Sequence, residues 1–209
     1  MPPEASVALG APDTWVAPLA RALPALALGL VITFTAEHSA GFGLICFGVF
    51  AVVTGAVLLA SALRADRAIR GVVLAQGVVT ALAGVAALVL RDGGFSALVA
   101  VVSGWAILAG ALETVDGIRF RRARAAARDW LVTGVLTIVL GLVVLLVPQG
   151  YADPYAVDDK GTVISGTVTA DILLVGIIGA WAVLVGVQLA IAAVSLRTPR
   201  TASPKVVGA

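Results

Sequence analysis

The chain has 209 residues, of which 60% are apolar and 12% charged, with a mean hydropathy of +1.08 and a formal net charge of +2. A soluble domain carries about a quarter of its residues as charges, so this chain cannot cover a globular surface and must turn apolar side chains toward lipid. The basic residues are clustered in a way that speaks of membrane topology, not of a nucleic-acid footprint, and nucleic acid is excluded as a partner.

Residues 1–17 read as a flexible, proline-containing lead-in without the basic start of a signal peptide. A helix needs about 20 apolar residues to cross a hydrocarbon core roughly 30 Å thick. Six segments meet that need: Pro18–Ala36, Ala40–Leu63, Ala68–Leu90, Gly93–Ile118, Trp130–Val147 and Ala170–Leu196. None reads as broken by a proline in its middle. Short polar interruptions separate them, and only 148–169 is a long connection. The predicted fold is an all-α integral membrane bundle of six transmembrane helices, arranged as three tandem hairpins (18–63, 68–120 and 130–196) within a membrane domain spanning 18–197. A tail, 198–209, follows.

Charge orients the spans. If the chain alternates, Arg21, Arg64, Arg67, Arg70, Arg119, Arg121, Arg122, Arg124, Arg128, Arg197, Arg200 and Lys205 share one side, leaving only Arg91 and Lys160 opposite. Basic residues are retained in the cytoplasm, so both termini are expected inside, with the 148–169 loop outside. That loop mixes turn residues with a β-prone Thr-Val-Ile-Ser stretch and reads as a short hairpin turning near Asp159-Lys160-Gly161.

The three hairpins repeat one another. An offset of 55 sets Gly29 on Gly84, Phe50 on Trp105, Gly55 on Gly110 and Arg64 on Arg119; in the third hairpin Gly141, Trp181 and Gly186 take the places of Gly84, Trp105 and Gly110. Small residues recur every seven positions, about two helical turns, and so share a face. They include Gly48 and Gly55, Ser103, Gly110 and Gly117, Gly179 and Gly186, and, in the first helices, Ala22 and Gly29, Gly77 and Gly84, Gly134 and Gly141. Helices in lipid associate through close packing, which small residues permit, so these stripes are expected to be the seams of the bundle. Phe50, Trp105 and Trp181 are expected to fill volume beside them. Trp130 and Trp15 read as interfacial anchors.

Ionisable groups inside a bilayer are costly. Glu113 and Asp116, in the fourth helix, are three residues apart, with Arg119 three further on. The expected arrangement is an ion-pair ladder near the cytoplasmic boundary. His38 stands at an outside hairpin tip, and Cys46 is a lone cysteine in an apolar run, unable to form an intramolecular disulfide. No nucleophile–base set, phosphate loop or metal-ligand spacing is present, so no enzyme activity, cofactor, catalytic residue or metal site is expected, and the interior is expected to lack a reactive centre.

The stretch GWAILAGALETVDGIRFRR, followed by DWLVTGVLTIVLGLVVLLVPQG, resembles the HdeD-like acid-resistance membrane proteins. The resemblance runs from Pro18 to Arg197 and is strongest across the second and third hairpins, where Glu113, Arg119, Gly141 and Pro148 stand at the family's typical places. The chain departs from the pattern in a 19-residue insertion at the third hairpin's tip and in Leu58, which holds the first repeat's counterpart of Glu113. The resemblance implies a bacterial plasma (inner) membrane protein of short repeated hairpins, linked to acid or envelope stress, without implying any chemistry.

Together these expectations describe a non-catalytic, structural or accessory membrane protein with the lipid bilayer and a homo-oligomer as partners. The alternatives are a passive pore or small-solute transporter, and an accessory subunit docking on another membrane protein.

Overall fold

The computed structural model describes residues 15–124, 126–159 and 162–197. Most of the expected lead-in and all of the expected tail lie outside the described residues. Six helices follow in order: α1 (Val16–Phe34), α2 (Ala40–Arg64), α3 (Arg67–Val89), α4 (Gly94–Phe120), α5 (Ala127–Leu146) and α6 (Ala170–Arg197). Each is long and apolar enough to cross a membrane, and their ends fall within a few residues of the segments read from the sequence.

Pro24 lies inside α1, and the helix runs unbroken through it. A proline removes one helical hydrogen bond, a loss that membrane helices tolerate when neighbouring helices surround them. Local chemistry sets several other ends. Ser39 Oγ accepts from the Phe42 N–H at 3.3 Å and caps α2. Gly94 takes a φ of +64° where the turn from α3 enters α4, a conformation glycine adopts without steric cost.

Between α5 and α6, β1 (Ala152–Asp159) pairs antiparallel with β2 (Thr162–Thr169), in the segment where the sequence suggested a hairpin. Of the turn expected near Asp159-Lys160-Gly161, Asp159 ends β1 and the other two lie outside the described residues. Tyr155 faces Gly166 across the ladder, where the missing side chain leaves room for the ring. β2 runs directly into α6.

The glycines show how the helices associate. A Cβ on Gly84 would lie 2.6 Å from the Val52 N and 2.9 Å from the Gly48 carbonyl oxygen; one on Gly55 would lie 2.7 Å from the Ala81 N. A Cβ on either Gly110 or Gly134 would lie 2.8 Å from the other's carbonyl oxygen, one on Gly117 would meet Leu131, and one on Gly141 would meet Ala106 and the Ser103 carbonyl. Gly29 faces Val183 and the Gly179 carbonyl, Gly179 faces Ile32, and Gly186 faces Leu26. Every glycine named for a stripe therefore sits in a seam, where a side chain would force two backbones apart.

These seams join α2 to α3, α4 to α5 and α6 to α1. The most intimate contacts thus run between successive hairpins, not within them, and α6 closes the set by returning to α1. The result is a ring of three antiparallel pairs with pseudo-threefold symmetry. Helices α2, α4 and α6 have more of their surface buried than α1, α3 and α5. The outer helices turn Leu30, Leu82 and Leu142 outward, as a lipid-facing surface requires.

Phe50, Trp105 and Trp181 do not sit beside the seams as expected. They meet one another between α2, α4 and α6 as a closed triangle of edge-on rings, with centroids 5.4–6.0 Å apart. Phe47 adds a further edge contact to Trp105 at 5.0 Å. Such geometry sets the positive ring edges against the negative faces.

Candidate functional site

Repeat symmetry places each triad of equivalent residues around the bundle axis, and the polar site arises where one triad breaks the pattern. Arg21, Gln76 and Thr133 occupy the same position of the three first helices; Leu58, Glu113 and Leu189 occupy one position of the second helices. All six line a void of about 30 Å³ lying under the aromatic triangle. The next layer toward the rings brings in Thr80 and Thr137 from the first helices and Thr54 from a second helix.

Glu113 is the only carboxylate of its triad and is 5% exposed. Arg21 grips it with both terminal nitrogens, Nη1 to Oε1 at 2.7 Å and Nη2 to Oε2 at 3.1 Å, and Gln76 Nε2 donates to Oε2 at 3.1 Å. This fork-on-carboxylate geometry is the strongest that an arginine can make. The pair joins α1 to α4, and Gln76 adds α3.

The expected ladder of Glu113, Asp116 and Arg119 does not form. Glu113 turns to another helix, and the Arg119 guanidinium lies over the Phe120 ring, 5.4 Å from its centroid. Asp116 is 6% exposed, and its Oδ1 has no hydrogen-bond partner. Arg21, read as a flanking topology charge, is instead a buried member of the site, its side chain 15% exposed. Sequence reasoning missed its role, although a signal existed: Arg21 and Glu113 are the ionisable members of two otherwise uncharged triads.

Above the ion pair, polar atoms surround the small void. Trp105 Nε1 donates to Thr80 Oγ1 at 3.1 Å, whereas Trp181 Nε1, Thr54 Oγ1 and Thr133 Oγ1 have no protein partner. The void has the size and polarity that suit an ordered water. Eight residues separate Trp105 from Glu113, about 12 Å of helix at 1.5 Å per residue. Toward the opposite end the apolar core continues through Leu44, Leu98 and Leu174, all fully buried.

On the other side of Glu113, toward the basic turns, the bundle opens. A cavity of about 660 Å³ runs from the ion pair to the ends of the helices. Its walls are apolar for the most part, with Leu58, Val73 and Leu189 among them, and its charged lining comprises Arg21, Arg64, Asp66, Glu113, Asp116, Arg124 and Asp129. The cavity exists because the seams bring helices together pairwise and leave a wedge between pairs at this end. Arg124 forms an ion pair with Asp66, linking the α2–α3 turn to the segment before α5. Gln188 Nε2 donates to the Asp129 carbonyl at 3.3 Å.

The site is thus a vestibule open at one end, an Arg–Glu pair at its inner limit, and a small polar chamber between that pair and the aromatic seal. His38 lies elsewhere, in the α1–α2 turn, its Nδ1 3.2 Å from the Ala36 carbonyl. Cys46 is a free thiol in α2. Among the described residues, no three His, Cys, Asp or Glu side chains are grouped so as to hold a metal ion.

A family model described as a short repeat of unknown function (DUF308) matches residues 75–146, about a third of the chain. The matched segment carries the α3 side of the α2–α3 seam, the whole α4–α5 seam, and three of the four polar residues at the vestibule floor, Gln76, Glu113 and Thr133. Arg21 lies outside it. No curated protein and no solved structure matches the chain.

Proposed function

We propose that this chain is a non-catalytic multi-pass protein of the bacterial plasma membrane, with both ends cytoplasmic, that serves acid or envelope stress tolerance. The observation that carries the reading is the division of labour between the repeats. What they share is packing: seam glycines at equivalent positions and an aromatic triangle. What breaks the repeat is a carboxylate held by three donors, an arrangement that stabilises charge and leaves Glu113 little capacity to attack or relay. The stress role rests on the resemblance to acid-resistance membrane proteins, and the cytoplasmic ends on the skew of arginine.

The test is deletion of the gene, followed by acid challenge and a dye-permeability measurement. Reduced survival or raised permeability, restored by the wild-type chain but not by a Gly84→Val variant, is expected. Unchanged survival and permeability would remove the stress role.

A second reading, a passive small-solute pathway, is favoured by the vestibule. In the present structure that path ends at the rings of Phe50, Trp105 and Trp181. Solute flux into proteoliposomes that Glu113→Ala abolishes would place this reading ahead of the first.

A further inference from the structure

The vestibule has features of a ligand site that the packing role does not use. Its volume of about 660 Å³ falls in the range of cavities that enclose small organic molecules. Most of its charges are already matched. Arg21 is held by Glu113, and Arg124 by Asp66. Arg64 is exposed at the helix end, and Arg119, also exposed, lies over the Phe120 ring.

Two lining carboxylates, Asp116 and Asp129, are outside these ion pairs, although the charges of Arg119 and Arg124 act on the first and that of Arg128 on the second. Asp116 lines the cavity while 94% buried, and its Oδ1 has no partner; Asp129 lines the cavity in the first turn of α5. A buried carboxylate oxygen without a donor is costly and gains from a cation brought against it. Trp130, beside Asp129, also lines the cavity, and an aromatic ring is a group that attracts organic cations. Val73, Leu189 and Leu196 offer apolar contact on the remaining walls.

The geometry points to the vestibule as a binding site for an amphiphilic organic cation, with Asp116 as its counter-charge. A diffusing amphiphilic amine and the amine headgroup of a lipid share this chemistry. The site stands apart from the stress role: it survives if deletion has no phenotype, and its loss leaves that role untouched.

The experiment uses the full chain in phosphatidylcholine nanodiscs, titrated calorimetrically with tetraphenylphosphonium and, separately, with tetraphenylborate, an anion of the same shape. Saturable binding of the cation alone is expected, above the partitioning into empty nanodiscs. Asp116→Asn should weaken it at least tenfold with an unchanged melting temperature, and Val73→Phe, which narrows the cavity and leaves Asp116 in place, should weaken it as well. Should Asp116→Asn fail to fold, Val73→Phe alone decides. Equal binding of the borate, unchanged cation binding in the variants, or uptake no greater than in empty nanodiscs overturns the site. Phosphatidylethanolamine added to the nanodiscs separates the sources: competition assigns the cation to a lipid headgroup, and its absence to a free solute.

Discussion

Arg21 and Glu113 stand 92 residues apart in the chain and meet inside the bundle through two parallel hydrogen bonds of 2.7 and 3.1 Å. Neither residue has a charged equivalent in the other repeats, where Gln76 and Thr133, and Leu58 and Leu189, hold the corresponding places. The pair is therefore an addition to a scaffold that elsewhere does without it.

Removing one partner is expected to cost far more than removing both. Glu113→Ala leaves a buried guanidinium unmatched, a loss of about 3–5 kcal/mol in stability. The double variant Arg21→Gln, Glu113→Leu restores residues that the other repeats use and should recover most of that loss. Denaturant titration of the protein in detergent checks both values. A double variant no more stable than Glu113→Ala would contradict the account.

Seam glycines and glycines that face open space should respond oppositely to alanine. A Cβ at Gly117 would lie 2.6 Å from the Leu131 backbone nitrogen, so Gly117→Ala is expected to cost about 1–3 kcal/mol. Gly104 is exposed in the middle of α4 with nothing within 4 Å of its Cβ position. There, Gly104→Ala should be neutral or stabilise by about 0.5–1 kcal/mol. Thermal melts of the two variants in one detergent make the comparison.

The two tryptophans of the aromatic triangle differ in what their indole nitrogens do. Trp105→Phe deprives Thr80 of its donor and should cost about 1 kcal/mol more than Trp181→Phe, whose indole nitrogen has no partner to lose. Equal destabilisation would mean that ring volume alone governs the cluster.

Topology can be read with single cysteines. In a Cys46→Ser background, a membrane-impermeant maleimide added to intact cells should label Ser165→Cys in the β-hairpin and spare Arg67→Cys at the start of α3. Labelling of the second site alone would reverse the orientation drawn from the arginines.

Glu37, in the α1–α2 turn, offers a pH-dependent contact outside the spans. Hydrogen bonds from the Ser39 hydroxyl and backbone N–H hold its carboxyl below the ordinary value of 4.5. A depressed carboxyl stabilises the fold above its unfolded value, and that contribution is lost as pH falls through the folded one. Protection of the Ser39 amide from hydrogen exchange should therefore drop below pH 4.5, a step that Glu37→Gln should lack.

The helices were legible in the sequence because a bilayer demands length and apolarity, and both are properties of continuous segments. The seams were legible because Gly48, Gly55, Gly110 and their equivalents repeat in phase. Which stripes meet was less accessible. Chain order does not say whether a helix mates with the neighbour before it or after it; in the structure Gly29 faces Gly179 and Gly84 faces Gly48.

The site was half legible. Glu113 and Asp116 stand out as acids inside a span, but spacing along α4 suggested that they face Arg119, since only local neighbours can be read from one helix. The actual partner of Glu113 comes from α1, so finding it requires knowing that α1 and α4 converge at the same depth. The vestibule had no signal of its own, for it is space left between helix pairs and belongs to no residue pattern.

Because α6 supplies the surface that covers Gly29, α1 is the earliest of the six helices to be synthesised and the last to be mated. Until α6 is inserted, its glycine face must be left against lipid or shielded by another factor, while α2 with α3 and α4 with α5 already form complete units. Membrane biogenesis is then governed by an unfinished first helix, and truncation before Ala170 should strand it without disturbing the other two pairs.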